Sequence, residues 1–161
     1  AADSIGMGTS SKTYSADTIA IGQTTSAEGA NSVVIGKNAK TTTEGGNAIG
    51  YSSAASGRST AIGQSATANN YNAVAIGNNA TANADRSISL GYNAGVGTRE
   101  GKGETQNAGS LIAIGTSSGN NVSGMQNVAI GENAGSNVKS SFNVAIGSQA
   151  GYCISYAPHD K

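Results

Sequence analysis

The hydrophobic pattern of this chain has a beat of four residues, an apolar residue, a small residue, a second apolar residue and a glycine, in ten copies of which two open on a polar residue instead. The copies are Ile5-Gly6-Met7-Gly8, Ile19-Ala20-Ile21-Gly22, Val33-Val34-Ile35-Gly36, Asn47-Ala48-Ile49-Gly50, Thr60-Ala61-Ile62-Gly63, Val74-Ala75-Ile76-Gly77, Ile88-Ser89-Leu90-Gly91, Ile112-Ala113-Ile114-Gly115, Val128-Ala129-Ile130-Gly131 and Val144-Ala145-Ile146-Gly147. Between closing glycines the steps are 14, 14, 14, 13, 14, 14, 24, 16 and 16 residues. A period this short predicts a stack of near-identical coils, each able to bury its apolar side only against its neighbours.

Residues 72–85 show how one period makes one coil. In Ala73-Val74-Ala75-Ile76 large and small residues alternate with period two, which is the mark of a strand with two different faces. Gly77 ends that strand, and Asn78-Asn79 suits a turn because asparagine tolerates the left-handed backbone region. A second alternating run, Ala80-Thr81-Ala82, brings the chain back before Asn83 to Asp85 turn it again. Two short strands and two turns fill the period and leave no room for a helix. The fold class is therefore all-β, a parallel solenoid of about ten coils of 14–16 residues. At about 4.8 Å per coil it makes a rod roughly 48 Å long.

The repeat core is assigned to the large aliphatic positions Val33, Ile35, Val74, Ile76, Ile112, Ile114, Val128, Ile130, Val144 and Ile146. Both faces of the strand are fit for burial, so either the Val/Ile face or the Ala face fills the coil while the other meets a partner chain. Two large aliphatics per coil are too little burial to offset the ordering of 14 residues, which points to an obligate oligomer. Asn47 and Thr60 put a polar side chain at the first apolar position, predicting local fraying between Gly45 and Thr60. Asparagines recurring before the strand (Asn31, Asn47, Asn72, Asn127, Asn143) and after it (Asn38, Asn78, Asn79, Asn93, Asn133) predict side-chain ladders between coils.

Composition narrows the function. Twenty-four glycines and only seven aromatic residues exclude a conventional core of bulky side chains. Nine basic and nine acidic residues, scattered singly, provide no stripe for nucleic acid and no patch for a membrane surface. Cys153 and His159 are single, so no intrachain disulfide or paired-cysteine metal site is expected, and a Ser-His or Cys-His arrangement would have to use His159 at the tail. Among the carboxylates only Glu100 and Glu104 lie close in sequence, and the four aspartates are too far apart for calcium-binding nonapeptides. The expectation is a protein that is not an enzyme, with no cofactor and no metal.

Two of the copies, Asn31-Ser32-Val33-Val34-Ile35-Gly36 and Asn72-Ala73-Val74-Ala75-Ile76-Gly77, resemble the head repeat Asn-Ser-Val-Ala-Ile-Gly-x-x-Ser of the YadA-like heads of trimeric autotransporter adhesins, surface proteins of Gram-negative bacteria. The resemblance runs from residue 5 to about residue 151. It implies one head domain over residues 1–161, with coils over about 5–151, an insertion over about 98–109 and a tail over 152–161. It further implies a left-handed parallel β-roll, a homotrimer with two further copies of the chain, and multivalent adhesion to a host-cell receptor or to matrix protein such as collagen, fibronectin or laminin. By the same resemblance the head is exposed outside the outer membrane, and its neck, stalk and anchor lie beyond Lys161.

Candidate contacts come from what breaks the repeat. The 24-residue step carries Arg99, Glu100, Lys102 and Glu104, and insertions into solenoids project from one face, where binding often sits. Tyr51 and Tyr92 each follow a motif glycine, which places both at the same corner of the rod with ring surface to offer. The competing function is a trimeric fibre segment, of the phage tail-fibre kind, that spaces without binding. Ice binding is a third and lesser reading, since regular β-solenoids can present threonine arrays; Thr67 and Thr81 are equivalent across one coil, but no Thr-x-Thr ladder continues.

Overall fold

The computed structural model describes residues 3–96 and 110–154, and the insertion residues Arg99, Glu100, Lys102 and Glu104 lie outside them. From the N-terminus long and short strands alternate: β1 (Ile5–Met7), β2 (Lys12–Thr13), β3 (Ile19–Ile21), β4 (Ser26–Ala27), β5 (Val33–Ile35), β6 (Lys40–Thr41), β7 (Asn47–Ile49) and β8 (Ala54–Ala55). The alternation continues through β9 (Thr60–Ile62), β10 (Thr67–Ala68), β11 (Val74–Ile76), β12 (Thr81–Ala82) and β13 (Ile88–Leu90). Only long strands follow, β14 (Ile112–Ile114), β15 (Val128–Ile130) and β16 (Val144–Ile146). Among the described residues there is no helix.

Every copy of the motif is a long strand, and the ten stack in sequence order into one parallel sheet. The six short strands form the second sheet. Register follows the motif throughout: Asn47 pairs with Thr60 across the 13-residue step and Ile88 with Ile112 across the 24-residue step. The shortened step is absorbed in the turn between the sheets, where five residues separate Thr41 from Asn47 and four separate Ala55 from Thr60. The fraying expected between Gly45 and Thr60 does not occur. Asn47 N–H donates to Ser59 O at 2.9 Å and Gly63 N–H to Ile49 O at 2.8 Å, because ladder bonds use the backbone and ignore the side chain.

Which face points inward is settled by size. The middle residue of each long strand faces the coil interior, and Ala20, Val34, Ala48, Ala61, Ala75 and Ala113 are fully buried there. The assignment of the repeat core is corrected accordingly: Val33, Ile35, Val74, Ile76, Ile112, Ile114, Val128, Ile130, Val144 and Ile146 stand on the outer face of the single chain. Ile35 keeps 36% of its surface exposed, and at the last coil Val144 and Ile146 keep 70% and 66%. A 14-residue coil brings its two sheets close together, so small side chains fill it, mostly Ala and Ser with single Val and Thr residues such as Val34 and Thr41. Its hydroxyls are all engaged: Ser32 Oγ donates to Gly29 O at 2.6 Å, Ser59 Oγ to Ala68 O at 2.8 Å and Ser87 Oγ to Ala84 O at 2.6 Å. Among the described residues no buried side-chain polar atom lacks a partner.

From β13 onward the coil widens. The short strand gives way to a turn in which Gly95, Gly119, Gly135 and Gly151 have φ near +60°. The longer coil encloses room for larger side chains, and Leu111, Val122 and Val138 fill it as one buried cluster, with Ile154 packed against them.

Candidate binding surfaces

The rod presents three kinds of surface, each a column of equivalent positions. Largest is the outer face of the long sheet. Its first column reads Ile5, Ile19, Val33, Asn47, Thr60, Val74, Ile88, Ile112, Val128, Val144, and its third reads Met7, Ile21, Ile35, Ile49, Ile62, Ile76, Leu90, Ile114, Ile130, Ile146. Eighteen of these twenty side chains are apolar. The strip is roughly 45 Å long and 10 Å wide, at the upper end of the apolar patches that soluble monomers leave open.

A second surface is the corner after the motif glycine. That glycine has φ near +130° and lies against its counterpart in the next coil, so the residue after it is thrown outward. Tyr51 and Tyr92 do occupy this corner, both about half exposed. They lie three coils apart, roughly 14 Å, with Gln64 and Asn78 between them hydrogen-bonded side chain to side chain at 3.2 Å. The rings belong to one column and do not touch each other. One residue further on, the left-handed position carries an asparagine ladder, in which Asn79 Nδ2 donates to Asn93 Oδ1 at 2.6 Å. The other expected ladder is Asn143 Nδ2 to Asn127 Oδ1 at 2.9 Å. Asn31, Asn47 and Asn72 do not join it, since Asn47 sits in the strand and Asn31 and Asn72 sit in the turn before it.

The third surface is the corner before the long strand. Here the sequence pattern alone overlooks Tyr71, Asp85 and Arg86. Tyr71 is 62% exposed, its N–H donates to Asp85 Oδ1 at 3.1 Å, and Arg86 N–H donates to Tyr71 O at 2.8 Å. Asp85 O in turn accepts from Ser110 N–H at 3.1 Å, which places Ser110 directly beside this group. Val96 is fixed as well, because its N–H donates to Asn120 Oδ1 at 2.8 Å and Asn121 N–H donates to Val96 O at 3.1 Å. Counting positions 14 apart, from Gly57 to Tyr71 to Asp85, is the signal that places these residues on one corner. The structure puts Tyr51 and Tyr92 at the opposite end of the long strands from this insertion root.

Among the described residues no group of three or more His, Cys, Asp or Glu side chains converges on a metal-sized site. Lys12 Nζ lies 5.9 Å from the centroid of the Tyr14 ring.

Comparison with known proteins agrees with this geometry. The family model described as the YadA head domain repeat, two copies long, matches residues 1–25, 14–39, 27–53, 57–80 and 68–94, together more than half of the chain. The matches end at residue 94, so the coils of β14, β15 and β16 lie beyond them. No curated protein matches the sequence. Among solved structures, the crystal structure of the collagen-binding domain of the Yersinia adhesin YadA is similar, with a TM-score of 0.58, 22% identity, and coverage of 91% of this chain and 72% of that one. At that identity the likeness establishes the fold, a β-roll.

Proposed function

Because the chain belongs to the YadA head-domain-repeat family, we propose that it is the adhesive head of a bacterial surface protein, assembled from three copies and binding a host matrix protein by many weak contacts along the rod. The observation that carries this reading is the apolar strip on the long sheet. A strip ten coils long, with a repeat of one strand spacing, is matched best by a surface with the same repeat, and further copies of the chain have it. The number three rests on the family.

Joined through their long sheets, the copies leave both sets of corners outermost. The corner positions then recur three times per coil level, so that modest contacts add into firm retention wherever a ligand engages several at once. A ligand that is itself long and periodic suits such a surface. Collagen is one, and the solved YadA domain is described as collagen-binding. Tyr51, Tyr92 and the insertion with Arg99, Glu100, Lys102 and Glu104 are the proposed contacts, joined now by Tyr71 and Arg86.

Sedimentation equilibrium tests the assembly, and solid-phase binding to collagen, fibronectin and laminin tests the partner. The expected results are a mass three times 15.7 kDa and saturable binding to collagen. A stable folded monomer overturns the reading. A trimer that binds none of the three matrix proteins transfers it to a fibre segment that only spaces.

A further inference from the structure

A strip with a uniform repeat has a weakness as an interface. If every coil presented the same two aliphatic residues, two copies would fit nearly as well when displaced by one coil, about 4.8 Å, or by two. Displaced copies leave a face open at each end. The next copy then adds with the same offset, and the product is a growing staggered fibre in place of a closed ring.

The strip is uniformly apolar except at two adjacent levels. In the first column Asn47 and Thr60 stand on neighbouring strands, paired in register, where the other eight positions carry Ile or Val. The third column is apolar there, with Ile49 and Ile62. Both polar side chains are half-buried, and among the described residues neither hydrogen-bonds to any group of its own chain. Elsewhere the chain is thorough in this respect, since the hydroxyls inside the coil all have partners.

We infer that Asn47 and Thr60 form a polar layer that sets the axial register of the assembled copies, and so holds them in a closed ring with zero offset. The inference rests on the self-association proposed above. In a ring with zero offset the layer of each copy meets the same layer of the next, and the amide of Asn47 and the hydroxyl of Thr60 supply donors and acceptors to one another across the interface. At an offset of two coils both side chains face Val or Ile and are buried without partners, which is costly. At one coil, only half of the layer stays matched. A single buried asparagine fixes register in coiled coils by the same physics.

Cys153, the only cysteine and an exposed one, gives a direct readout, because a spin label on it reports the distance between copies without any other change to the protein. Wild-type protein should give one narrow interspin distance and one mass. In the double variant Asn47→Val with Thr60→Val, the strip becomes uniform. The expected result is a broadened or multiple distance distribution, with larger species in sedimentation velocity and elongated rods in negative-stain images. A variant with the layer moved two coils along, combining those two changes with Val74→Asn and Ile88→Thr, should regain the single narrow distance. Mixed with wild-type protein, it should self-sort, with an excess of unmixed assemblies of about tenfold or more. A double variant that keeps the wild-type mass and narrow distance overturns the register role and leaves self-association standing. A monomeric wild-type protein overturns both.

Discussion

Gly6 and Gly63 occupy neighbouring kinds of position and have opposite needs. Gly63 closes a motif with φ +131°, and a β-carbon built on it would lie 2.4 Å from the carbonyl oxygen of Gly77 in the next coil. Gly63→Ala therefore combines a backbone conformation that side chains avoid with a collision that only separation of the coils relieves, and it should cost about 3 kcal/mol or more. Gly6 stands in the inward column where most coils carry alanine, and a β-carbon there meets nothing nearer than Thr13 Cγ2 at 3.8 Å. Gly6→Ala should stabilise the protein by about 0.4–1 kcal/mol, since it restricts only the unfolded chain. Denaturant melts of the two variants against wild type check both signs. Sequence alone distinguishes Gly63, because it recurs with the period. The inward direction of Gly6 was not legible, because alternation reveals two faces and leaves their destinations open until the width of the coil decides.

At the scale of the element, the long strands were readable in every copy, even across the 13- and 24-residue steps, because parallel stacking demands one residue pattern at one register. The short strands were readable only in the narrow coils. After β12 the two added residues replace strand by turn, and the signal for that is the Ala-Gly pair of Ala94-Gly95 and Ala134-Gly135, which sets a left-handed glycine where the narrow coils have a strand. What the wider turn gains is volume. Leu111 occupies the position that Ser87 has one coil earlier, and it is 2% exposed within the cluster of Val122 and Val138. Leu111→Ala should cost about 2–5 kcal/mol. Ser87→Leu, which forces the same side chain into a narrow coil, should cost about 1–3 kcal/mol through overpacking. Hydrogen exchange locates the damage: Leu111→Ala is expected to lower protection in β13–β16 first and to leave β3–β9 close to wild type, as nearest-neighbour coupling in a solenoid requires.

For the whole molecule, the insertion and the rod are the two proposed sites of adhesion, and the hydrogen-bond register makes it possible to separate them. Val96 corresponds to Asn120 and Ser110 to Gln126, since Ile88 pairs with Ile112 and Ile112 with Val128. Thirteen residues therefore span an interval that the next coil crosses in five, 121–125. Replacing residues 97–109 with the sequence Asn-Val-Ser-Gly-Met of that next coil converts the 24-residue step into an ordinary 16-residue one. The ladder bonds on either side already exist, so the assembled mass and the melting temperature should stay at wild-type values. If adhesion comes from corners repeated along the rod, removing Arg99, Glu100, Lys102 and Glu104 takes away one contact among many, and binding to immobilised collagen should weaken by less than about tenfold, or 1.4 kcal/mol. Loss of binding in a variant that still assembles would instead place adhesion in the insertion, one discrete site per copy. Salt adds a second readout, because a contact built on those four charges weakens as ionic strength rises, whereas the tyrosine corners are far less sensitive.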